Sequence, residues 1–195
     1  MDVSTPITTV IPSLDGPVLA ALASTTTPMG LAEVHSRAQR GSKSGVRSVL
    51  LRMVEEGLVR EVPGGYLLNR DHLACHAIEL LATLHGELAS RIRSAVEDWP
   101  TPPALVGMFG SAARRDGDNT SDIDVLVVSD DPDLDDRVDE LAEQIHRWTG
   151  NRAQVVGRTT AGISKLRRAK EPILSEWARD LVVIFGRRIA LGKVA

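Results

Sequence analysis

Apolar residues in the first third of the chain recur at helical spacing in three short segments. The segments span residues 14–23, 31–38 and 46–57, and in the last of them the apolar side chains fall at i, i+4, i+7 and i+8 on one face. Two β-prone runs then flank the turn sequence PGG at 63–65, which predicts a hairpin. Three helices followed by a hairpin is the order of a winged helix-turn-helix, and we predict such a domain over residues 13–70.

The segments on either side of this domain have different patterns. Residues 1–12 are rich in Thr and Pro and are expected to be flexible. Residues 71–98 form a Leu-, Ala- and Ile-rich amphipathic helical region, which we expect to link two domains and to mediate a homodimer. The prolines of "WPTPPA" (99–104) end any helix, because proline lacks an amide donor and fixes φ. We therefore predict the domain boundary at these prolines.

Beyond the prolines the pattern changes to strand–loop–strand–helix–strand. The runs 104–109, 121–128 and 153–157 are typical of strands, and an apolar stripe from Leu134 to Trp148 predicts a helix before the third strand. A basic helical segment follows from about residue 163. The pattern predicts an α/β domain with a mixed sheet over residues 104–195, and an α+β fold class for the whole chain.

Composition narrows the class of protein without changing this division. The formal net charge is −3, so a surface that binds nucleic acid must be local. The single cysteine, Cys75, excludes an internal disulfide and suits a reducing cytosol. No apolar run approaches the roughly 20 residues that span a bilayer. We therefore expect a cytoplasmic protein with no membrane partner.

The second predicted strand carries a pair of carboxylates, in the sequence "SDIDVLVV" (121–128). Residues two apart on a strand point to the same side, so Asp122 and Asp124 lie together at a separation of about 6–7 Å. Two anions this close repel each other unless a cation lies between them. Mg²⁺ suits such a pair, because it prefers oxygen ligands and shares them with a substrate triphosphate. Gly110 and Ser111, just after the first strand, offer backbone and hydroxyl donors for phosphate.

The Gly-Ser pair, ten intervening residues and "DID" resemble the signature of the DNA polymerase β nucleotidyltransferase superfamily in its minimal form. The whole chain from about residue 14 resembles bacterial proteins that fuse a winged helix to such a domain. The resemblance implies that Asp122 and Asp124 are catalytic and bind the metal. It also implies that Gly110, Ser111 and Arg114 bind a nucleoside triphosphate, expected to be ATP. A surface loop with solvated aspartates is the alternative for a short motif of this kind.

The family normally adds a third carboxylate on a neighbouring strand. By strand order that strand is "AQVVG" (153–157), where Gln154 occupies the position of the acid. A neutral amide is a weak metal ligand, so the resemblance implies nucleotide and Mg²⁺ binding more firmly than turnover. An error in the strand alignment, with another acid in the role, is the alternative.

A basic cluster surrounds the predicted turn of the helix-turn-helix. Residues at the start of the recognition helix reach the major groove of DNA, and five residues occupy this region: Arg40, Lys43, Ser44, Arg47 and Ser48. Local clusters of cations provide phosphate contacts. The cluster predicts binding to double-stranded DNA, with a protein-docking module as the alternative, because fold does not fix function.

Beside a non-catalytic sensor in which nucleotide binding tunes DNA affinity, two functions are consistent with these motifs. The first is a DNA-binding transcriptional regulator with a domain that binds nucleotide and Mg²⁺ and is weakly active at most. The second is an active nucleotidyltransferase that modifies a protein or RNA partner, as in toxin–antitoxin pairs, with the winged helix as an autoregulatory module.

Overall fold

A computed structural model describes residues 1–187 of the chain. The chain divides into two compact units between residues 84 and 85, with Met1 and Val3 grouped with the C-terminal unit. Each unit has hydrophobic core clusters of its own. Across residues 1–187, no helix combines the length and apolar character that a membrane span requires.

The N-terminal unit contains the three helices and the hairpin that the apolar spacing predicts. Its main elements are α1 (Asp15–Ala23), α2 (Leu31–Ala38), α3 (Lys43–Glu55), β1 (Val59–Val62), β2 (Gly65–Leu68) and α4 (Cys75–Ala82). α3 begins earlier than its apolar spacing indicates, because the Ser42 hydroxyl caps it by accepting from the Gly45 amide at 3.1 Å. β1 and β2 pair antiparallel, and Met29 adds an antiparallel bridge to Tyr66.

Residues 1–12, expected to be flexible, contain ordered structure. A short 3-10 helix spans Pro6–Thr9, and Ile7 within it is fully buried in the core of the N-terminal unit. Burial of this apolar side chain stabilises a segment whose Thr- and Pro-rich composition alone indicates fraying.

The helical region 71–98 consists of two helices rather than one. α4 ends at Ala82, with Thr83 as its C-cap, and α5 spans Leu84–Glu97. Cys75 and Ile78 of α4 belong to the core of the N-terminal unit, whereas the apolar face of α5 belongs to a core of the C-terminal unit. The division between units therefore lies near residue 84, whereas the sequence predicts it at the prolines in 99–104. The prolines end α5 but not the unit, since Trp99 is still buried in the same core as α5.

The C-terminal unit is built on a mixed sheet, as predicted, and the sheet has four strands. The strand order is β5-β4-β3-β6, with β4 and β5 parallel and the other two pairs antiparallel. The remaining elements are β3 (Leu105–Phe109), α6 (Gly110–Arg114), β4 (Ile123–Val128), α7 (Leu134–Thr149), β5 (Ala153–Arg158), α8 (Thr160–Ala169), α9 (Ile173–Asp180) and β6 (Val182–Gly186). β6 was not predicted, and residues 188–195 of the predicted domain lie outside the described residues.

Helices cover both faces of this sheet. The side chains of Ile123, Val125 and Val127 pack with α5 and α7, whereas Leu126 and Val128 pack with α8 and α9. The alternation along β4 follows from the two-residue period of a strand. Asp124 has the parity of Leu126, so its carboxylate lies on the α8 and α9 face, at the end of the sheet where β4 begins.

Candidate active site

The Asp124 side chain lies against the backbone of Gly110. Asp124 pairs with Phe109, the last residue of β3, and Gly110 follows directly with a φ of +68°. A Cβ built on Gly110 would lie 2.4 Å from Asp124 Oδ2, so the end of the Asp124 side chain would have to move. Glycine therefore favours both this backbone conformation and the observed position of the Asp124 carboxylate. The sheet register and this glycine bring the two halves of the sequence motif together.

Ser111 presents a free hydroxyl beside this contact. Its carbonyl oxygen accepts hydrogen bonds from the amides of Arg115 and Asp116, which close the loop after α6. Within residues 1–187 the Ser111 hydroxyl has no hydrogen-bond partner, and the side chain is half-buried. It is available to donate to an anionic ligand.

The two carboxylates form a site with unbalanced negative charge. Asp122 and Asp124 are both half-buried. Burial raises the pKa of Asp124, the negative charge of Asp122 raises it further, and Arg114 lowers it. A raised carboxyl pKa means that ionisation is costly, and a divalent cation would remove that cost. The pair therefore fits a divalent cation that prefers oxygen ligands, such as Mg²⁺.

The neighbouring strand places a neutral side chain beside Asp124. β5 runs parallel to β4, and the register pairs Gln154 directly with Asp124. Gln154 thus occupies the place that the strand order assigned to it, and its side chain is exposed. Among residues 1–187, no cluster of three or more His, Cys, Asp or Glu side chains could hold a metal. The site provides two protein carboxylates and one neutral amide.

Arg114 is held by two carboxylates, one of which the motif did not reveal. Its Nε donates to Asp116 Oδ2 at 2.8 Å, and its Nη1 donates to Asp180 Oδ2 at 2.5 Å. Asp180 ends α9 and is 66 positions away in the sequence, so no local pattern could have identified it. The positive charge of Arg114 lowers the pKa of Asp124.

The predicted DNA-binding residues lie together in the N-terminal unit. Lys43, Ser44, Arg47 and Ser48 lie on the first two turns of α3, Arg40 lies in the preceding turn, and all five are exposed. Arg37 and Arg52, in contrast, form ion pairs with acidic neighbours. No acidic group within residues 1–187 forms an ion pair with Arg40, Lys43 or Arg47, so their charges are open to solvent.

Residues 89–185 match the family model described as Nucleotidyltransferase domain, a range that lies within the C-terminal unit. The C-terminal unit therefore carries a nucleotidyltransferase domain.

Solved structures with a similar fold come from toxin–antitoxin complexes. One is a toxin-antitoxin with AMP-PNP, 17% identical, covering 51% of this chain and 74% of that chain, with a TM-score of 0.41. Another is a tri-AMPylated Shewanella oneidensis HEPN toxin in complex with MNT antitoxin, 17% identical, covering 53% and 73% with a TM-score of 0.38. A third is the toxin-antitoxin MntA-HepT, 16% identical, covering 52% and 73% with a TM-score of 0.37. A comparison with curated protein sequences found no match.

Proposed function

We propose that the C-terminal unit binds a nucleoside triphosphate with Mg²⁺ and transfers its nucleotidyl group, slowly, to a protein or RNA acceptor. The observation that carries this proposal is the contact of the Asp124 carboxylate with Gly110, which joins a candidate metal site to a candidate phosphate site. ATP is the expected triphosphate. Asp122 and Asp124 are the proposed catalytic and metal-binding residues.

Each residue has a separate part in this proposal. The Gly110 and Ser111 amides and the Ser111 hydroxyl donate to phosphate oxygens. Arg114 adds a positive charge that offsets that of the triphosphate. Asp122 and Asp124 would hold Mg²⁺, which, when bound, neutralises phosphate charge and polarises a phosphoryl oxygen.

The transfer step explains why Gln154 makes the reaction slow. The acceptor hydroxyl oxygen forms a bond to the α-phosphorus, the bond from that phosphorus to the bridging oxygen breaks, and pyrophosphate leaves. The hydroxyl proton must be removed, and the neutral amide of Gln154 cannot accept it, so the proton passes to solvent. Loss of a positioned base typically costs about 10²–10⁴-fold in rate.

Labelling tests the proposed activity. The protein is incubated with each α-labelled nucleoside triphosphate and Mg²⁺ in the presence of cellular protein and RNA, and the label is followed on gels. We expect slow labelling of one acceptor, strongest with ATP and absent in Asp122→Asn/Asp124→Asn. Labelling that survives the double substitution would contradict the assignment of these residues.

The N-terminal unit supports a second candidate function, binding of double-stranded DNA by a winged helix. Support comes from the order of three helices and a hairpin, from the Met29–Tyr66 bridge beside the hairpin, and from the unpaired cations at the start of α3. In that case the protein also regulates transcription. We place this function second, because the family match covers only the C-terminal unit. Absence of any gel shift at low salt would favour a docking module instead.

A homodimer is the proposed assembly. Leu73 is 99% exposed and Leu80 is 55% exposed, which leaves apolar side chains of and beside α4 in contact with solvent. Burial of such side chains between two copies would be favourable. Light scattering at micromolar concentration checks this, and a monomeric mass would count against it.

A further inference from the structure

Asp180 is the most buried member of an ion-pair cluster beside the proposed nucleotide site. Its side chain is 7% exposed, compared with 43% for Arg114 and 55% for Asp116. Its Oδ2 accepts from Arg114 Nη1 at 2.5 Å, and its Oδ1 accepts from Arg179 Nε at 2.7 Å. One buried carboxylate therefore binds two guanidinium groups on two different helices.

The pairing leaves one edge of the Arg114 guanidinium free. Nε and Nη1 are occupied by Asp116 and Asp180, whereas Nη2 donates to no group within residues 1–187. A guanidinium is planar and rigid, so two occupied donors fix the direction of the third. The free Nη2 can donate to a ligand oxygen without breaking either ion pair.

We propose that Asp180 is a positioning residue for nucleotide binding, whose carboxylate holds the Arg114 guanidinium for a phosphate group and keeps it out of direct ion pairs with Asp122 and Asp124. The inference rests on the proposed nucleotide site. A cation near a carboxylate pair is attracted to it. Without Asp180, Arg114 is free to neutralise the two carboxylates and to compete with Mg²⁺ for them.

Local helix energetics do not explain the position of Asp180. A negative charge at the C-terminal end of a helix opposes the helix dipole, and Asp180 is the last residue of α9. The Arg179 hydrogen bond, followed by that of Arg114, lowers the pKa of Asp180 from 3.8 to about 2. The carboxylate is therefore ionised at neutral pH, as a permanent anchor for Arg114 must be.

A double-mutant cycle tests whether Asp180 acts through Arg114. Calorimetry measures the dissociation constant of ATP, and its dependence on Mg²⁺ concentration, for the full chain and for Asp180→Asn, Arg114→Ala and the double variant. We expect Asp180→Asn to weaken ATP binding by about tenfold, a typical loss for a charge-assisted hydrogen bond, and to raise the Mg²⁺ concentration needed for half-saturation. Neither effect should appear when Arg114 is already alanine.

Asp116→Asn is the matched control, because Asp116 pairs with the same arginine but is exposed. It should weaken binding by less than about threefold, since exposed ion pairs contribute little. Asp180→Glu should restore part of the affinity. Equal losses from Asp180→Asn with and without Arg114 would overturn the positioning role and indicate a purely structural one.

Arg114→Lys provides an independent variant if Asp180→Asn fails to fold. An ammonium keeps the charge but lacks the planar fork, so we expect it to bind ATP about as weakly as Arg114→Ala. Wild-type affinity in Arg114→Lys would contradict the inference while leaving the nucleotide site intact. Absence of ATP binding by the wild-type protein would instead overturn the proposed function, and this inference with it.

Discussion

At the C-terminal site Asp124 and Arg114 lie against neighbouring groups that limit their positions, whereas at the start of α3 the cations extend into solvent without ion-pair partners among residues 1–187. Asp124 lies against a glycine backbone, and Arg114 is bound by two carboxylates. Arg40, Lys43 and Arg47 are exposed and form no ion pairs within residues 1–187. The first arrangement suits a ligand of defined shape, and the second suits a polyanion that is recognised by charge.

The difference has an energetic basis. In a partly buried site, the interaction energy between charges is large and changes steeply with their positions, because less water screens them. Exposed charges are screened by salt, so their contribution to binding depends mainly on how many of them there are. Substitutions at the C-terminal site should therefore have large effects that depend on geometry, and those on α3 should have smaller effects that depend on ionic strength.

Gly110→Ala should produce the largest effect of the single substitutions. The new Cβ would lie 2.4 Å from Asp124 Oδ2, on a backbone with a φ of +68°. We expect ATP affinity to fall by about 100-fold, and stability to fall by about 1–2 kcal/mol from the positive φ alone. Calorimetry and thermal denaturation measure the two effects.

Gly150→Ala separates the effect of a positive φ from the effect of a side chain placed against Asp124. Gly150 has a φ of +74° in the same unit, with open space where its Cβ would lie. It should lose similar stability but keep its ATP affinity. Similar losses of affinity in both variants would contradict the role of the Gly110–Asp124 contact.

Gln154→Asp should raise nucleotidyl transfer by about tenfold, since a carboxylate beside Asp124 adds a metal ligand and a proton acceptor. Gln154→Ala should leave the slow wild-type rate unchanged. Transfer rates with α-labelled ATP provide the measurement. Rapid wild-type transfer that is indifferent to Gln154→Ala would show that another residue carries the role of the third acid.

Arg47→Ala should weaken binding to the protein's own promoter region by about fivefold. It should also reduce the slope of log K against log salt concentration by about one, because one phosphate contact is lost. Arg52→Ala on the same helix is the matched control, because Arg52 is already paired with Asp15 and Glu56. Gel shifts across a range of salt concentrations compare them. An equal loss in both variants would argue against specific phosphate contacts by the unpaired cations.

Asp124→Asn should produce the smallest effect, a rise in Tm of about 2 °C at pH 7 without Mg²⁺. The folded protein raises the pKa of Asp124 above 3.8, so the ionised carboxylate opposes folding above that pKa. This cost disappears as pH falls through the raised pKa, and the variant should lack that part of the pH dependence. Thermal denaturation between pH 4 and 7 checks the sign, and a lower Tm for the variant at pH 7 would contradict it.

Local patterns were sufficient to predict the strand and the turn that carry the candidate site. Asp122 and Asp124 follow the two-residue period of a strand, and Gly110 marks a turn at the end of the preceding strand. The position of Gln154 followed from strand order, and the parallel register agrees with it. These features involve neighbouring residues or consecutive strands, which sequence patterns describe well.

Features set by distant contacts could not be predicted in this way. The amphipathic pattern continues across residues 71–98, and only packing into two different cores divides it into α4 and α5. Asp180 reaches Arg114 across 66 positions, and its role depends on burial that composition does not reveal. Ile7 is buried within a segment whose composition indicates flexibility.

Calorimetric titration of ATP with and without Mg²⁺ tests the central claim most directly. The wild-type protein should bind ATP in a Mg²⁺-dependent manner, and Asp122→Asn/Asp124→Asn should remove that dependence and lower the affinity by at least about 100-fold. Both proteins should unfold cooperatively, which shows that the loss is local to the site. Mg²⁺-dependent binding of equal strength in the double variant would contradict the assignment of these two aspartates as the metal site.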